Sequence, residues 1–293
     1  MLFWDSVQIT NSDKQHRGNP SIMSSLKRFF WLLHRPNLYP EALRRTQRKV
    51  ENTFWPERST YTAQSRAKAQ EEATKWCEQY AIDTQTAITK ITGLQQFEPF
   101  EEKFQEQLSR AREITEKSPV QMGGGGNLEL IYQLAEHLQA RQVIETGVSY
   151  GWSSLTLLLS LSQRSNSHLI STDLPYFFEG SEQYVGCVVP SELKRFWTIL
   201  PAADREALPQ ALKKLNVIDM AHYDSDKFYQ GRMWAYPKLW NALKPGGILI
   251  SDDIHDDFAF RDFSDSVGEN PIIVQTPILE NAKYVGILIK PNA

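Results

Sequence analysis

A chain of 293 residues holds one large domain or two modest ones, and its 41% apolar and 23% charged residues fit a soluble globular protein with a real core. The net charge of −3 is unevenly placed: residues 1–60 carry ten Lys/Arg against five Asp/Glu, which leaves −8 for the rest. Arg44, Arg45, Arg48 and Lys49 lie at the spacing of a solvated helix face, so no nucleic-acid arm is expected. Two cysteines, Cys77 and Cys187, give neither a zinc-ligand spacing nor a disulfide framework. No apolar run approaches the ~18 residues of a membrane span. The start of the chain lacks an apolar signal core, so a cytoplasmic protein is expected.

In chain order, residues 1–20 read as a mobile lead-in. From Ser24 to Gly93 the pattern is helical, with breaks at Pro36, Pro40 and Pro56. Ala69, Ala73, Trp76 and Tyr80 recur at helical spacing, as do Phe100, Phe104, Leu108, Ala111 and Ile114, and both stripes read as packing faces. Residues 1–118 contain no chemical motif and are expected to form a helical N-terminal cap, or an element through which the chain forms homo-oligomers. Four glycines, Gly123–Gly126, then open a loop, and Asn127 is placed to cap a helix carrying Leu128, Ile131, Leu134 and Leu138.

From there strand-like and helical patterns alternate. Strands are expected at Val143–Thr146, His168–Thr172, Phe196–Leu200, Val217–His222 and Ile248–Ser251, which predicts a parallel sheet with helices on both faces. Pro271–Thr276 and Tyr284–Lys290 follow, joined by a turn at Leu279–Lys283 and not by a helix. The expectation is an α/β fold over residues 119–293: a Rossmann-like, doubly wound, mostly parallel sheet ending in an antiparallel hairpin.

Chemistry concentrates at the ends of the strands. Glu145 closes the first of them, and Gly147 and Gly151 let backbone approach a ligand where a side chain would collide. Ser153 and Ser154 then open a helix whose free N–H groups can face that ligand. The loop lacks the dinucleotide pattern Gly-x-Gly-x-x-Gly, which weighs against an NAD oxidoreductase. His168-Leu-Ile-Ser-Thr-Asp173 delivers a second acid, at a position suited to ribose hydroxyls, and the next strand leads to Asp204. Three successive strands that bring acids to one edge favour a nucleoside site, because a buried carboxylate without partners is costly.

Glu145-x-Gly147-x-x-x-Gly151, Asp173, Asp204 and Leu243-Lys-Pro-Gly-Gly-Ile-Leu-Ile250 resemble class I S-adenosylmethionine-dependent methyltransferases over residues 120–293. The resemblance implies that Gly147 and its neighbours, Ser149 among them, contact the methionine part of the cofactor. It also implies that Asp173 binds the ribose and that Asp204 lies near the adenine amino group. Ser149 stands where the commoner pattern has glycine, a variant similar to small-molecule O-methyltransferase branches.

Two acidic clusters lie at the next strand ends, Asp224-Ser-Asp-Lys-Phe-Tyr229 and Ser251-Asp-Asp-Ile-His-Asp-Asp257. Carboxylates so close repel one another unless protonated or bridged by a cation, and all-oxygen ligands suit Mg²⁺. These segments resemble the metal-dependent natural-product O-methyltransferases of the macrocin type. Carried over, Asp224, Asp252 and Asp253 would be metal ligands and Asp226 the general base. Lys227 departs from the family's usual His and could itself replace the metal's charge. His255 is a candidate substrate contact or alternate base, whereas His222, inside a strand, reads as a core residue.

The sequence thus predicts methyl transfer to a hydroxyl of a small molecule. Two other classes stay open. Gly147-Val-Ser-Tyr-Gly151 formally matches a serine-hydrolase nucleophile elbow, with Ser149 as nucleophile. A non-catalytic methyltransferase-like binding subunit would keep the fold without turnover.

Overall fold

The computed structural model describes residues 30–56, 62–176, 180–276 and 282–292. The expected lead-in and most of the 279–283 turn lie outside them. Among the described residues, eight strands form one sheet in the order β1-β7-β8-β6-β5-β2-β3-β4. They are β1 (Ala81–Asp83), β2 (Gln142–Thr146), β3 (His168–Thr172), β4 (Trp197–Leu200), β5 (Ile218–Tyr223), β6 (Leu243–Ser251), β7 (Ile272–Thr276) and β8 (Lys283–Ile289). All pairings are parallel except those of β8 with β6 and β7. The fold is therefore the expected α/β, Rossmann-like sheet with its antiparallel hairpin.

The helices are α1 (Tyr39–Phe54), α2 (Ala63–Tyr80), α3 (Thr84–Thr92), α4 (Phe100–Lys103), α5 (Gln105–Glu116), α6 (Leu128–His137), α7 (Trp152–Leu161), α8 (Asp204–Lys214), α9 (Tyr229–Ala242) and α10 (Ala259–Val267). Strand alternation sorts the core into two layers. Val143, Leu169, Met220 and Ile248 face α6 and α7, whereas Ile144, Ile170, Ala221 and Leu249 face α8, α9 and α10. Asn127 starts α6 as expected, its Oδ1 accepting from the Leu130 amide at 3.1 Å. Among the described residues, no helix is long and apolar enough to cross a membrane.

Two features depart from the sequence expectations. Residues 81–83, inside the stretch read as helical, form an edge strand that pairs in parallel with β7. Asp83 ends that strand by capping α3, accepting from the Thr86 amide at 2.9 Å. The strand expected at Ile248–Ser251 begins five residues earlier, so Leu243-Lys-Pro-Gly-Gly belongs to it. Lys244 pairs with Asp219 at 2.5 Å, and Asp219 also accepts the Arg141 and Gln142 amides that lead into β2. That distinctive motif therefore ties three strands together at the sheet edge opposite the acids.

The helices ahead of the sheet are built into its core. Phe100, Leu108 and Ala111 are buried with α6 and α7, and Phe100 meets the Tyr132 ring at 5.1 Å. On the other face, α2 contributes Cys77 to the layer of α9 and α10, while Tyr80, expected on its packing stripe, is exposed.

Candidate functional site

β2 lies between β3 and β5, so the connections leaving β2 and β5 diverge at this point and open a crevice at the strands' carboxyl ends. The loop after β2 lines it. Gly147 has φ +85°, and a Cβ there would lie 2.5 Å from the Asp224 carbonyl oxygen, so only glycine lets the loop run against the end of β5. Ser149 also has positive φ, +54°, and its hydroxyl donates to the Gly123 carbonyl at 2.8 Å. Gly151 precedes α7 without a side-chain cap, which leaves first-turn N–H groups of that helix available to a ligand.

The three acids of this edge are used differently. Glu145 is fully buried and accepts from the hydroxyls of Ser153 (2.6 Å), Ser154 (2.5 Å) and Ser171 (2.6 Å). It sits beneath the loop and holds the start of α7. Asp173 points its Oδ1 at the Val148 and Ser149 amides, at 2.9 and 3.4 Å, while its Oδ2 is buried with no hydrogen-bond partner. Burial pushes its pKa up, against the two amides. Asp204, the first residue of α8, accepts from the Thr172 hydroxyl at 2.9 Å and from the Ser225 hydroxyl. Burial raises it to about 6, although both hydroxyls act the other way.

At the ends of β5 and β6 the centre is a cation. The Lys227 ammonium pairs with Asp224 and lies 2.8 Å from Asp253. Burial favours its neutral form, but the two carboxylates outweigh that and lift its pKa above the ordinary lysine value. Asp253, a non-glycine residue at φ +52°, also faces Lys283 at 3.7 Å. Burial would raise its pKa, yet Lys227 and Lys283 hold it well below the carboxylate range. Asp252 turns one oxygen to the buried His222, at 3.6 Å, and packs the other against Gly126, where a Cβ would overlap it.

The remaining expected residues point elsewhere. Asp226 accepts the Phe228 amide at 3.0 Å and packs on Gly231, serving the start of α9. His255 sits in a 3₁₀ turn, Ile254–Asp256, edge-on to Tyr284 at 5.7 Å. Burial lowers its pKa, which favours the neutral ring. No histidine hydrogen-bonds Ser149 among the described residues, so the base of a hydrolase triad is missing beside the formal elbow.

The acids do not fit a divalent ion as arranged. Among the described residues, no group of three or more His, Cys, Asp or Glu side chains gathers as a metal site. Asp224 and Asp253, two of the three expected ligands, instead share an ammonium, and the third turns to His222. Beside Lys227 opens a cavity of about 250 Å³, lined among others by Arg66 and Ala69 of α2, Phe228, Tyr229 and Phe258. The sequence offered Lys227, a departure from the family pattern, as a charge that could tune or replace the metal's, and its ammonium lies between Asp224 and Asp253. Its signal was the Asp-x-x-Lys spacing, which lets the side chain fold back onto Asp224.

A family model described as a methyltransferase domain matches residues 144–254, the span from β2 through the acids after β6. No curated protein matches the sequence. Among solved structures, the chain is similar to an O-methyltransferase from Bacillus cereus in complex with SAH. The two are 14% identical with a TM-score of 0.50, over 73% of this chain and 100% of that one. It also matches TomG, an O-methyltransferase from Streptomyces achromogenes involved in tomaymycin synthesis, in complex with SAM (16% identity, TM-score 0.47, 73% and 98% of the two chains). A third is a putative caffeoyl-CoA O-methyltransferase from Staphylococcus aureus (19% identity, TM-score 0.48, 64% and 96%). At 14% identity the likeness to the Bacillus cereus enzyme is one of fold.

Proposed function

We propose that this chain transfers a methyl group from S-adenosylmethionine to a hydroxyl of a small molecule. The observation that carries the proposal is Asp173. Its carboxylate is locked by the amides of the cofactor-type loop and keeps one buried oxygen without a donor, at the switch point of a Rossmann-like sheet. A ribose hydroxyl is the donor such a site lacks. Gly147, Ser149 and Gly151 would line the methionine side, and Asp204 the adenine side. Glu145 and Ser153 hold the loop from below.

The cofactor, when bound, supplies a sulfonium methyl for in-line transfer. The chain's own part is positioning and charge. Lys227 lines the cavity with its ammonium fixed by two carboxylates, ready to hold the acceptor oxygen as its proton leaves. Asp224, paired with that ammonium and raised in pKa by burial, is the acid we assign to take the proton. Asp226 and His255 are assigned no proton transfer. α2 walls the cavity, so the helical region before residue 119 takes part in choosing the acceptor.

The test is release of S-adenosylhomocysteine in the presence of phenols, sugars and polyketide-like alcohols, with Mg²⁺ or with a chelator. Turnover that persists in chelator fits the ammonium arrangement, and turnover that needs Mg²⁺ would restore the metal reading. Cofactor binding with no turnover on any acceptor would favour the non-catalytic subunit.

A further inference from the structure

His222 is fully buried in the middle of the sheet and has no hydrogen-bond partner for either ring nitrogen. Strand register explains its neighbours. Glu145 of β2 stands opposite Ser171 of β3 on one side and His222 of β5 on the other. His222 in turn stands opposite Ile250 of β6, two residues before Asp252 and on the same face. A polar row therefore crosses three strands, with Asp252 just past the end of β6 at its side, one layer above the apolar row of Val143, Leu169, Met220 and Ile248. From β4, the Trp197 indole, in register with Leu169, donates to the Ser171 hydroxyl at 2.7 Å.

The ring lies between two carboxylates, with Nδ1 3.7 Å from Glu145 and Nε2 3.6 Å from Asp252. A neutral imidazole offers a proton on one nitrogen only, whereas an imidazolium offers one to each acid. One positive charge between two negative ones lowers the cost of burying the acids.

The two carboxylates belong to different halves of the crevice. Glu145 grips Ser153 and Ser154, the first turn of α7 behind the glycine loop. Asp252 rests on Gly126 and precedes Asp253, the partner of Lys227. We infer that His222 is a positioning residue: a buried strut that couples the cofactor loop to the acid cluster through Glu145 and Asp252. Its binding readout rests on the methyltransferase reading.

The test is a double-mutant cycle on S-adenosylmethionine affinity, measured by calorimetry, with His222→Gln and Asp252→Asn. Asp252→Asn should weaken binding about fivefold or more in the wild-type background, the low end of site-to-site coupling. It should add nothing once His222 is replaced. Equal losses in both backgrounds would overturn the strut. The same cycle is read on melting temperature, where the strut also predicts non-additivity. If the wild type binds no cofactor, the methyltransferase reading falls while the melting cycle still decides the strut. If His222→Gln does not fold, His222→Phe combined with Glu145→Gln and Asp252→Asn takes its place. Removal of both charges should rescue folding relative to His222→Phe alone, and no rescue would overturn the inference.

Discussion

The carboxylates at the two halves of the crevice are satisfied in opposite ways. Past β2 and β3, amide and hydroxyl donors hold Asp173 and Asp204, and Asp173 is left one donor short. Past β5 and β6, a cation neutralises the acids, since Lys227, from the loop after β5, serves both Asp224 and Asp253. The first half is built to gain a neutral hydrogen-bonding ligand. The second is already charge-balanced, and Lys227 is also among the residues that line the neighbouring cavity. On the proposed function, recognition and chemistry would fall on different strand pairs, and substitutions should separate them.

Lys227→Met should have the largest effect and confine it to one half. It should lower turnover by about 100–1000-fold, the scale for a lost charge-stabilising donor. Affinity for S-adenosylmethionine should change less than about threefold. Equal losses in both would erase the division. Next comes the acidity of Asp204. As pH rises through about 6, its ionised form becomes the better acceptor for an adenine amino group, so cofactor affinity should tighten by roughly tenfold. Asp204→Asn should flatten that profile. The linked stability runs the other way. A folded-state pKa raised above the ordinary value means that the folded chain holds its proton longer, so this carboxyl makes the fold less stable as pH climbs from about 4 to 6. Chemical denaturation across that window should show the slope in the wild type and lose it in Asp204→Asn.

Smaller effects sharpen the junction between the halves. Gly126→Ala forces a side chain at φ +69° into the Asp252 carboxylate and should cost about 1–3 kcal/mol of stability. Gly124→Ala, with nothing within 4 Å, should melt close to wild type. A matching loss in Gly124→Ala would mean that the loop, and not the Asp252 contact, is responsible. Asn127→Ala removes the α6 cap and should cost about 1 kcal/mol with cofactor affinity unchanged.

Much of the sheet was legible because its strands are apolar runs closed by acids, as in His168–Thr172, which the structure reproduces residue for residue. The edge strand Ala81–Asp83 was not. Three residues between two helices carry no period, and the partner, Ile273–Gln275, lies about 190 residues away in sequence. Asp173 could be placed from its position alone. Glu145 could be placed but not oriented, because one of the hydroxyls that turn it inward, that of Ser171, reaches it only through sheet register. His222 is buried inside its strand as expected, but its neighbours were not legible, because only the register puts an acid on each side of it. Lys227 was visible, but its role depends on the close approach of Asp253, which comes from the neighbouring strand.

The most direct test of the division is calorimetry with S-adenosylmethionine on the wild type and on Asp173→Ala, without added metal. The account predicts one-site binding to the wild type, weakened by about 10–100-fold when the carboxylate is removed. An absence of wild-type binding, or equal affinity in both proteins, would contradict it.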